Sequence, residues 1–534
     1  MKRSRTSRLG ALATAVAVVA LSAGCGSDDP AEKTTPGAKE RDYSEGILGA
    51  ADAGDPVDGG TLSFGAYAEP SSLDPAVTIT AGSTGGTEMA AIYDLLMRYD
   101  AGAKKYVPQL AESLKPNDDF SEWTLRLRDG VTFSDGTELD SAAVKWSQER
   151  YVAKPGPEAA VWTATVKDIA TPDPLTVVYR LTSPWSTFPS VLSTGPGLIV
   201  AKSSDAGASF KPVGAGAFVL DKWAPQEELV LEARDDYWDG RPHLDKIRSV
   251  FLSDQQTNLD SLESGSIDMV FLRDPDKVDA MLDAGTGGYL NVPSASNVAL
   301  INATEGAAGA DPRVRQAMAY AVNPDLIRER AFDGHGLAGS TIFLDYSQWH
   351  GEAEGLPYDP EQAKKLVEEA KADGFDGKVH YVDGSDPASR ATSLAVKASL
   401  EAVGLSVEID LKRSIADQIT AIAVNRDYDL AAWGLGYREG DPYSRMFSTL
   451  STEGTSTYGM ATSAEMDDLL TQLRGSSEHD DQVAITDDIQ GLFNEQVPFL
   501  NWGPIAELTA WNDDVHGVLG AMNTMVLLDD AWVD

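Results

Sequence analysis

The sequence predicts an α/β protein of two or three lobes behind an export leader. Three observations predict it. Strand-like and helix-like patterns alternate along the chain, as they do in α/β lobes. Apolar residues make up 42% of the 534 and include 11 Trp, enough for large cores. Roughly 475 residues follow the N-terminal segments, and domains commonly run ~100–200 residues.

The leader comes first. "MKRSRTSRLG" carries Lys2, Arg3, Arg5 and Arg8 and no acid, and "LGALATAVAVVALSA" (9–23) is uncharged. A basic start, an apolar middle and small residues at the end make a secretory signal over 1–24. The alternative is a membrane anchor, but the run from Leu9 to Ser27 is rich in Ala, Gly and Ser and marginal for ~30 Å of hydrocarbon. Cys25 follows at once and is the only cysteine. A lone thiol cannot form an internal disulfide, and outside the cell it is an oxidation liability. Acylation removes the liability and supplies an anchor, each buried CH₂ contributing about 0.8 kcal/mol.

Residues 25–58 then read as a lipidated Cys and a disordered tether, polar and punctuated by Gly and Pro. The body is expected to start at Gly59. "WTLRLRDGVTFSDG" (123–136) reads as a β-hairpin turning at Asp129-Gly130. "SVEIDL" (406–411) reads as a strand with Val407, Ile409 and Leu411 on one face. "YDPEQAKKLVEEAKADG" (358–374) reads as a helix capped by Asp359, with Pro360 first, Ala363, Leu366, Val367 and Ala370 as its apolar stripe, and Gly374 at its end. "DPRVRQAMAYAVNP" (311–324) repeats the device from Asp311, stopped by Pro324. Packing explains these stripes, and no chemistry is assigned to them.

Charge narrows the partners. The whole chain carries a formal −40, and loss of the leader's four cations leaves 39 basic residues against 83 acidic ones, −44. Such a field excludes nucleic acid and anionic lipid surfaces as partners. Catalytic signatures are lacking too. No G-x-S-x-G occurs, the six His never take H-E-x-x-H spacing, and no P-loop is present. The expectation is no catalytic residue, no metal site, no cofactor and no enzyme. A paired-carboxylate glycoside hydrolase stays as the remote alternative, since 83 acids supply carboxylate pairs by chance.

The remaining motifs carry a resemblance. "LSAGC" before Cys25 resembles the lipobox of bacterial lipoproteins. "EPSSLDPA" (69–76), "IYDLLMRYD" (92–100), "PQLAESLKPNDDFSEWTLRLRDGVTFSDGTELDSAAVKWSQER" (108–150), "PVGAGAFVLDKW" (212–223), "ARDDYWDGRPHLDKI" (233–247), "LESGSIDMV" (262–270), "DPRVRQAMAYAVNPDLI" (311–327) and "YDPEQAKKLVEEA" (358–370) occur in this order. Together they resemble family 5 of the extracellular solute-binding proteins of ABC importers, the dipeptide- and oligopeptide-binding type. The resemblance implies a two-lobed periplasmic-binding-protein fold (Venus-flytrap, class II type) with an extra small domain on the first lobe. Mapped here, lobe I would take 59–79, 200–297 and 505–534, the extra domain 80–199, and lobe II 298–504. The crossings would lie near 298–304 and 497–503. The implied function is capture of a small solute, a di- or oligopeptide first, and its delivery to an ABC permease by a monomeric, lipid-anchored protein on the extracytoplasmic face of the membrane.

The family places a tryptophan and, three residues on, an acid that receives a peptide α-amino group. Trp433 matches the tryptophan, and Gly436 stands where the acid belongs. Glu439 or Asp441 could substitute from the same loop. Otherwise the ligand is a non-peptide solute, an oligosaccharide, an opine-like molecule or one with a blocked amine. Tyr437, Glu69, Asn302 and Trp502 complete the ligand-binding candidates. Cys25 is the lipidation candidate.

Overall fold

The computed structural model describes residues 41–49, 54–154, 156–207, 209–252 and 254–534. The leader and Cys25 lie outside them. An eight-stranded sheet runs in the order Gly46–Leu48, Gly287–Asn291, Glu507–Trp511, Met269–Leu272, Thr61–Ala66, Lys246–Phe251, Glu228–Ala233, Phe218–Ala224. Its centre is parallel, Thr61–Ala66 lying beside both Lys246–Phe251 and Met269–Leu272. All of Met269–Leu272 is buried, as expected of a strand covered on both faces. A five-stranded sheet runs Ser406–Lys412, Lys378–Gly384, Leu430–Trp433, Val298–Ile301, Phe499–Asn501. The two sheets are the centres of the two lobes.

The chain passes between these sheets twice, over 292–297 and 502–506. Val298–Ile301 and Phe499–Asn501 are paired antiparallel where the passages meet the second sheet. Across the passages Ile505 N donates to Ser296 Oγ at 2.7 Å. The passages also share a buried apolar cluster that includes Val292 and Ala506.

A third, four-stranded antiparallel sheet is ordered Ala111–Pro116, Glu122–Leu127, Thr176–Leu181, Val166–Asp173. Its apolar face alternates as period two requires, with Trp123, Leu125 and Leu127 buried. The resemblance attaches this region to the first lobe. It does touch that lobe: Arg150 holds Asp74 through two bonds of 2.9 and 2.7 Å. Yet its hydrophobic core is continuous with that of the second lobe, where Trp185 packs edge-on to Tyr443 at 5.5 Å.

The helical readings hold. Asp359 caps Pro360–Ala372 by accepting from Glu361 N and Gln362 N, and Ala363, Leu366, Val367 and Ala370 are its buried residues. Asp311 caps Pro312–Ala321, which buries Val314, Ala317, Met318 and Ala321. Pro324 also opens a new helix, Pro324–Ala331. Ser406–Lys412 is a strand, as its pattern predicts.

The hairpin reading fails. Glu122–Leu127 pairs with Ala111–Pro116 and Thr176–Leu181, not with the residues after Gly130. The turn exists, with Gly130 at φ +77°. Beyond it Thr132 bridges Glu138 in a second small turn. Period-two apolar residues on both sides of a turn do not specify that the two halves pair with each other; here a strand 50 residues away wins.

The tether reading fails over 41–49. Gly46–Leu48 adds an edge strand to the large sheet, against Leu290, Tyr289 and Gly288. Tyr43 is buried and its hydroxyl donates to Asp279. Arg41 Nη1 lies 3.1 Å from Asp279 and Arg41 Nε donates to Asp283 at 2.8 Å. Glu45 accepts from the Tyr289 hydroxyl (2.8 Å) and Asn291 Nδ2 (2.9 Å). A few specific polar contacts and one aromatic order a segment whose composition looks disordered.

Losing Tyr43 burial (~1.5–3 kcal/mol) and charged hydrogen bonds (~1.5–3 kcal/mol each) outweighs the ordering entropy of a short strand. A chain beginning at Gly59 is therefore expected to be less stable than one beginning at Arg41, by about 2–4 kcal/mol in denaturant titration. Equal midpoints for the two would show that the strap adds nothing.

Candidate functional site

After Leu430–Trp433 the chain runs beside the first passage and is tied to it at one point. Tyr437 N donates to Ser294 O at 2.7 Å and Ser294 N to Tyr437 O at 2.8 Å. Around that tie Leu435, Gly436 and Arg438 line a cavity of about 230 Å³. Tyr437, Glu439 and Asp441 point back into the protein, all nearly inaccessible. The helix Tyr443–Leu450 then brings Ser444 and Arg445 to the same cavity.

The other walls come from elsewhere. Asn291 and Glu507 stand on adjacent strands of the eight-stranded sheet, directly opposite each other in register. Glu158 sits at the head of the helix Ala159–Thr165. Asn523, from the C-terminal segment, completes the polar lining. Both lobes and the third sheet's region thus contribute.

The charges in this cavity differ in how they are partnered. Arg438 Nη2 lies 3.5 Å from Glu158, which also accepts from the Tyr151 hydroxyl. Arg445 donates through Nε (3.0 Å) and Nη2 (2.9 Å) to one carbonyl, Leu435 O. No carboxylate pairs with Arg445 among the described residues. Burial, then the charge of neighbouring Arg438, push its guanidinium below its ordinary value. Glu507 accepts from Thr524 Oγ1 at 2.6 Å and forms no ion pair among the described residues.

None of the seven ligand-binding candidates lines this cavity. Trp433 is half-buried, paired with Val298 through its backbone and edge-on to Tyr458 at 5.6 Å. The Tyr437 hydroxyl meets Thr449 Oγ1 at 3.2 Å. Glu439 accepts from Ser347 Oγ (2.7 Å) and Gln348 N (3.0 Å). Asp441 accepts from Thr187 Oγ1 and Ser190 Oγ, both at 2.9 Å, and from Ser444 Oγ. Asn302, just past Val298–Ile301, donates to Tyr428 O (2.9 Å) and accepts from Thr304 Oγ1. Glu69 accepts from Trp223 Nε1 at 2.8 Å, within the first lobe. Trp502 is buried in a separate small pocket beside Tyr43, Asp279 and His335. Cys25 lies outside the described residues.

The loop 433–445 was legible, but its inward face was not. The sequence gives no register for an irregular run, so Glu439 and Asp441 stand out in it rather than the flanking Arg438 and Arg445. Glu158 and Glu507 carry no sequence signal at all. Gly436 does occupy the cavity wall, with φ +69° and no atom nearer than 4.0 Å to where a Cβ would stand. A Cβ there would have room, but the left-handed backbone strains any residue that carries one, and glycine leaves the wall open.

Glu439 has a neighbour in kind. Burial raises its carboxyl from 4.5 to about 7. Burial also raises Glu45, on the N-terminal strap, from 4.5 to about 7, and the charge of Glu439 adds to the rise. A carboxyl with a raised folded value stabilises the fold most below its unfolded value, and that stability is lost as pH rises through the folded one. Stability is therefore expected to fall as pH climbs from about 5 to 8. Melting curves of Glu45→Gln and Glu439→Gln should decline less over that window; unchanged slopes in both would refute the assignment.

No group of His, Cys, Asp and Glu among the described residues could hold a metal ion. No helix among them is long and apolar enough to cross a membrane.

Known proteins share this design. The sequence profile for "Bacterial extracellular solute-binding proteins, family 5 Middle" matches residues 105–457. The probable D,D-dipeptide-binding periplasmic protein DdpA of Escherichia coli K12 is 25% identical over 446 residues, 80% of this chain and 85% of that protein. The dipeptide-binding protein of the same organism is 23% identical over 483 residues, 82% of this chain and 88% of that one. Among solved structures, AgaA of A. tumefacien R10, in complex with agropinic acid, superposes with a TM-score of 0.74 at 26% identity, over 89% of this chain and 99% of its own. The oligopeptide-binding protein AppA of Bacillus subtilis, holding a nonapeptide, gives a TM-score of 0.74 at 19% identity over 90% and 100%. With two lobes, two passages between them and a profile match across the middle of its length, the chain belongs to the bacterial extracellular solute-binding proteins of family 5.

Proposed function

We propose that this protein captures a small peptide-like solute between its lobes, outside the cytoplasmic membrane, and presents it to an ABC import permease. The observation that carries the reading is the cavity itself. It is lined by both lobes, so a solute inside it touches both at once. A ligand that touches both lobes binds the closed form better than the open one and shifts the population toward closure. The closed form is then the species that a permease recognises. No bond is made or broken in the solute.

Relatives support a peptide, since DdpA and the dipeptide-binding protein of E. coli are named for dipeptides. One observation favours a second reading. Gly436 leaves the cavity without the acid that the family pattern places there, and AgaA holds agropinic acid, not a peptide. An opine-like solute is the alternative. A thermal-shift screen of dipeptides, opines and oligosaccharides separates them. A ligand at 100 times its Kd stabilises by about 2.7 kcal/mol, readily visible as a raised Tm. A screen in which no small solute raises Tm would oppose solute capture.

Cys25 is the proposed anchor, acylated after removal of 1–24. Among the described residues no helix could replace it. Cys25→Ala should move the protein from the membrane fraction to the soluble one on cell fractionation. Retention in the membrane would count against the lipid anchor.

A further inference from the structure

The cavity holds two opposite charges that the protein leaves without counter-ions. Arg445 comes from the second lobe, on the helix after the five-stranded sheet. Its only acceptor among the described residues is the Leu435 carbonyl, shared by Nε and Nη2. A guanidinium carries five N–H donors. Most of this one's capacity is therefore unspent, and the residue lines the cavity. Glu507 comes from the first lobe, at the start of the strand Glu507–Trp511. One of its oxygens takes the Thr524 hydroxyl, and no cation among the described residues meets it. The two other cavity charges, Arg438 and Glu158, answer each other at 3.5 Å. Once that pair is set aside, one cation and one anion remain, on different lobes.

Charges buried without partners are costly, and a partner that satisfies them recovers the cost. A bidentate carboxylate fits a guanidinium fork, and a carboxylate flanked by neutral amides such as Asn291 and Asn523 fits an ammonium or guanidinium. Resting on the cleft as the solute site, we infer that the ligand is a small zwitterion, its carboxylate on Arg445 and its cationic nitrogen on Glu507. The amine subsite thereby moves from the second lobe, where Gly436 has no side chain, to the first. Each lobe grips one end of the solute, so only a ligand carrying both charges draws the lobes together.

Calorimetry on the whole protein without its leader, in low salt, tests this with L-alanyl-L-alanine, its N-acetyl derivative, its carboxamide, and an N-(1-carboxyethyl) amino acid as an opine-type zwitterion. At least one free zwitterion should bind, and blocking either end of a bound dipeptide should weaken it by about 30-fold or more, the order found when one side of a buried charge pair is lost. Glu507→Gln should weaken the zwitterion by a similar factor. It should leave the N-acetyl derivative, which has no ammonium to lose, within about twofold. Arg445→Met should mirror this, sparing the carboxamide. Arg445 also holds the Leu435 carbonyl, so the comparison of derivatives on the unmutated protein decides the matter if that variant unfolds. Equal binding of blocked and free forms overturns the zwitterion while leaving solute capture intact. Binding of none of the four, beside a Tm raised by neutral oligosaccharides, also overturns it. A protein that binds no solute of any kind defeats the capture reading itself.

Discussion

Ser294, Ser296, Ile505 and Tyr437 form a short hydrogen-bonded knot where the chain leaves one sheet for the other. Ile505 N reaches Ser296 Oγ, and Ser294 exchanges both backbone bonds with Tyr437. The loop beyond Leu430–Trp433 cannot slide without breaking that exchange. The exchange thereby fixes which side chains meet the cavity: Gly436 and Arg438 line it, while Tyr437, Glu439 and Asp441 are buried in the protein.

A chain with so large an excess of acids places some of them indoors, and around the cleft loop it does so with hydroxyls and amides rather than cations. Asp441 takes Thr187, Ser190 and Ser444; Glu439 takes Ser347 and the amide of Gln348. Hydrogen bonds to the charged form lower a carboxyl's pKa, but here burial is the larger influence and the net shift is upward in both. Asp94 follows the same rule: burial, then nearby Asp529, raise it to about 7, although Tyr237 and Trp238 donate to it. With 43 basic residues for the whole chain, an arginine left without a carboxylate in the cavity is conspicuous against this background. Acids abundant enough to pair with it stand nearby and are turned away.

Local signals were legible where one residue decides local structure. Asp359 and Asp311 were readable as caps because an aspartate before proline at a helix start satisfies orphan backbone donors in one way. Buried stripes followed from the 3.6-residue period. Signals failed where distant partners decide. Glu122–Leu127 pairs across to Thr176–Leu181, and the turn after it misled. The strap 41–49 looks like a leash because its order comes from Asp279, Tyr289 and Asn291, some 240 residues away. The site divided along the same line. The loop itself stood out through Trp433 and the residues after it, whereas Glu507 reaches the cavity only because its strand pairs with Gly287–Asn291.

The strap also changes how the ends of the molecule relate to its moving parts. Asp279 lies on a helix of the first lobe, and it accepts from Tyr43 and Arg41 on one side and from His335 Nδ1 (2.9 Å) and Gly336 N (3.1 Å) on the other. His335 belongs to the stretch between the passages, which builds the second lobe. One buried carboxylate therefore gathers the strap, the first lobe and the second lobe at the back of the passages. Glu45, two residues beyond Tyr43 on the same strap, reaches the other way, to Asn291 on the cavity wall. An edge strand that only widened a sheet would need neither contact. Its two polar ends instead connect the rear of the hinge to the lining of the cleft, through residues that no composition-based reading of a linker would single out.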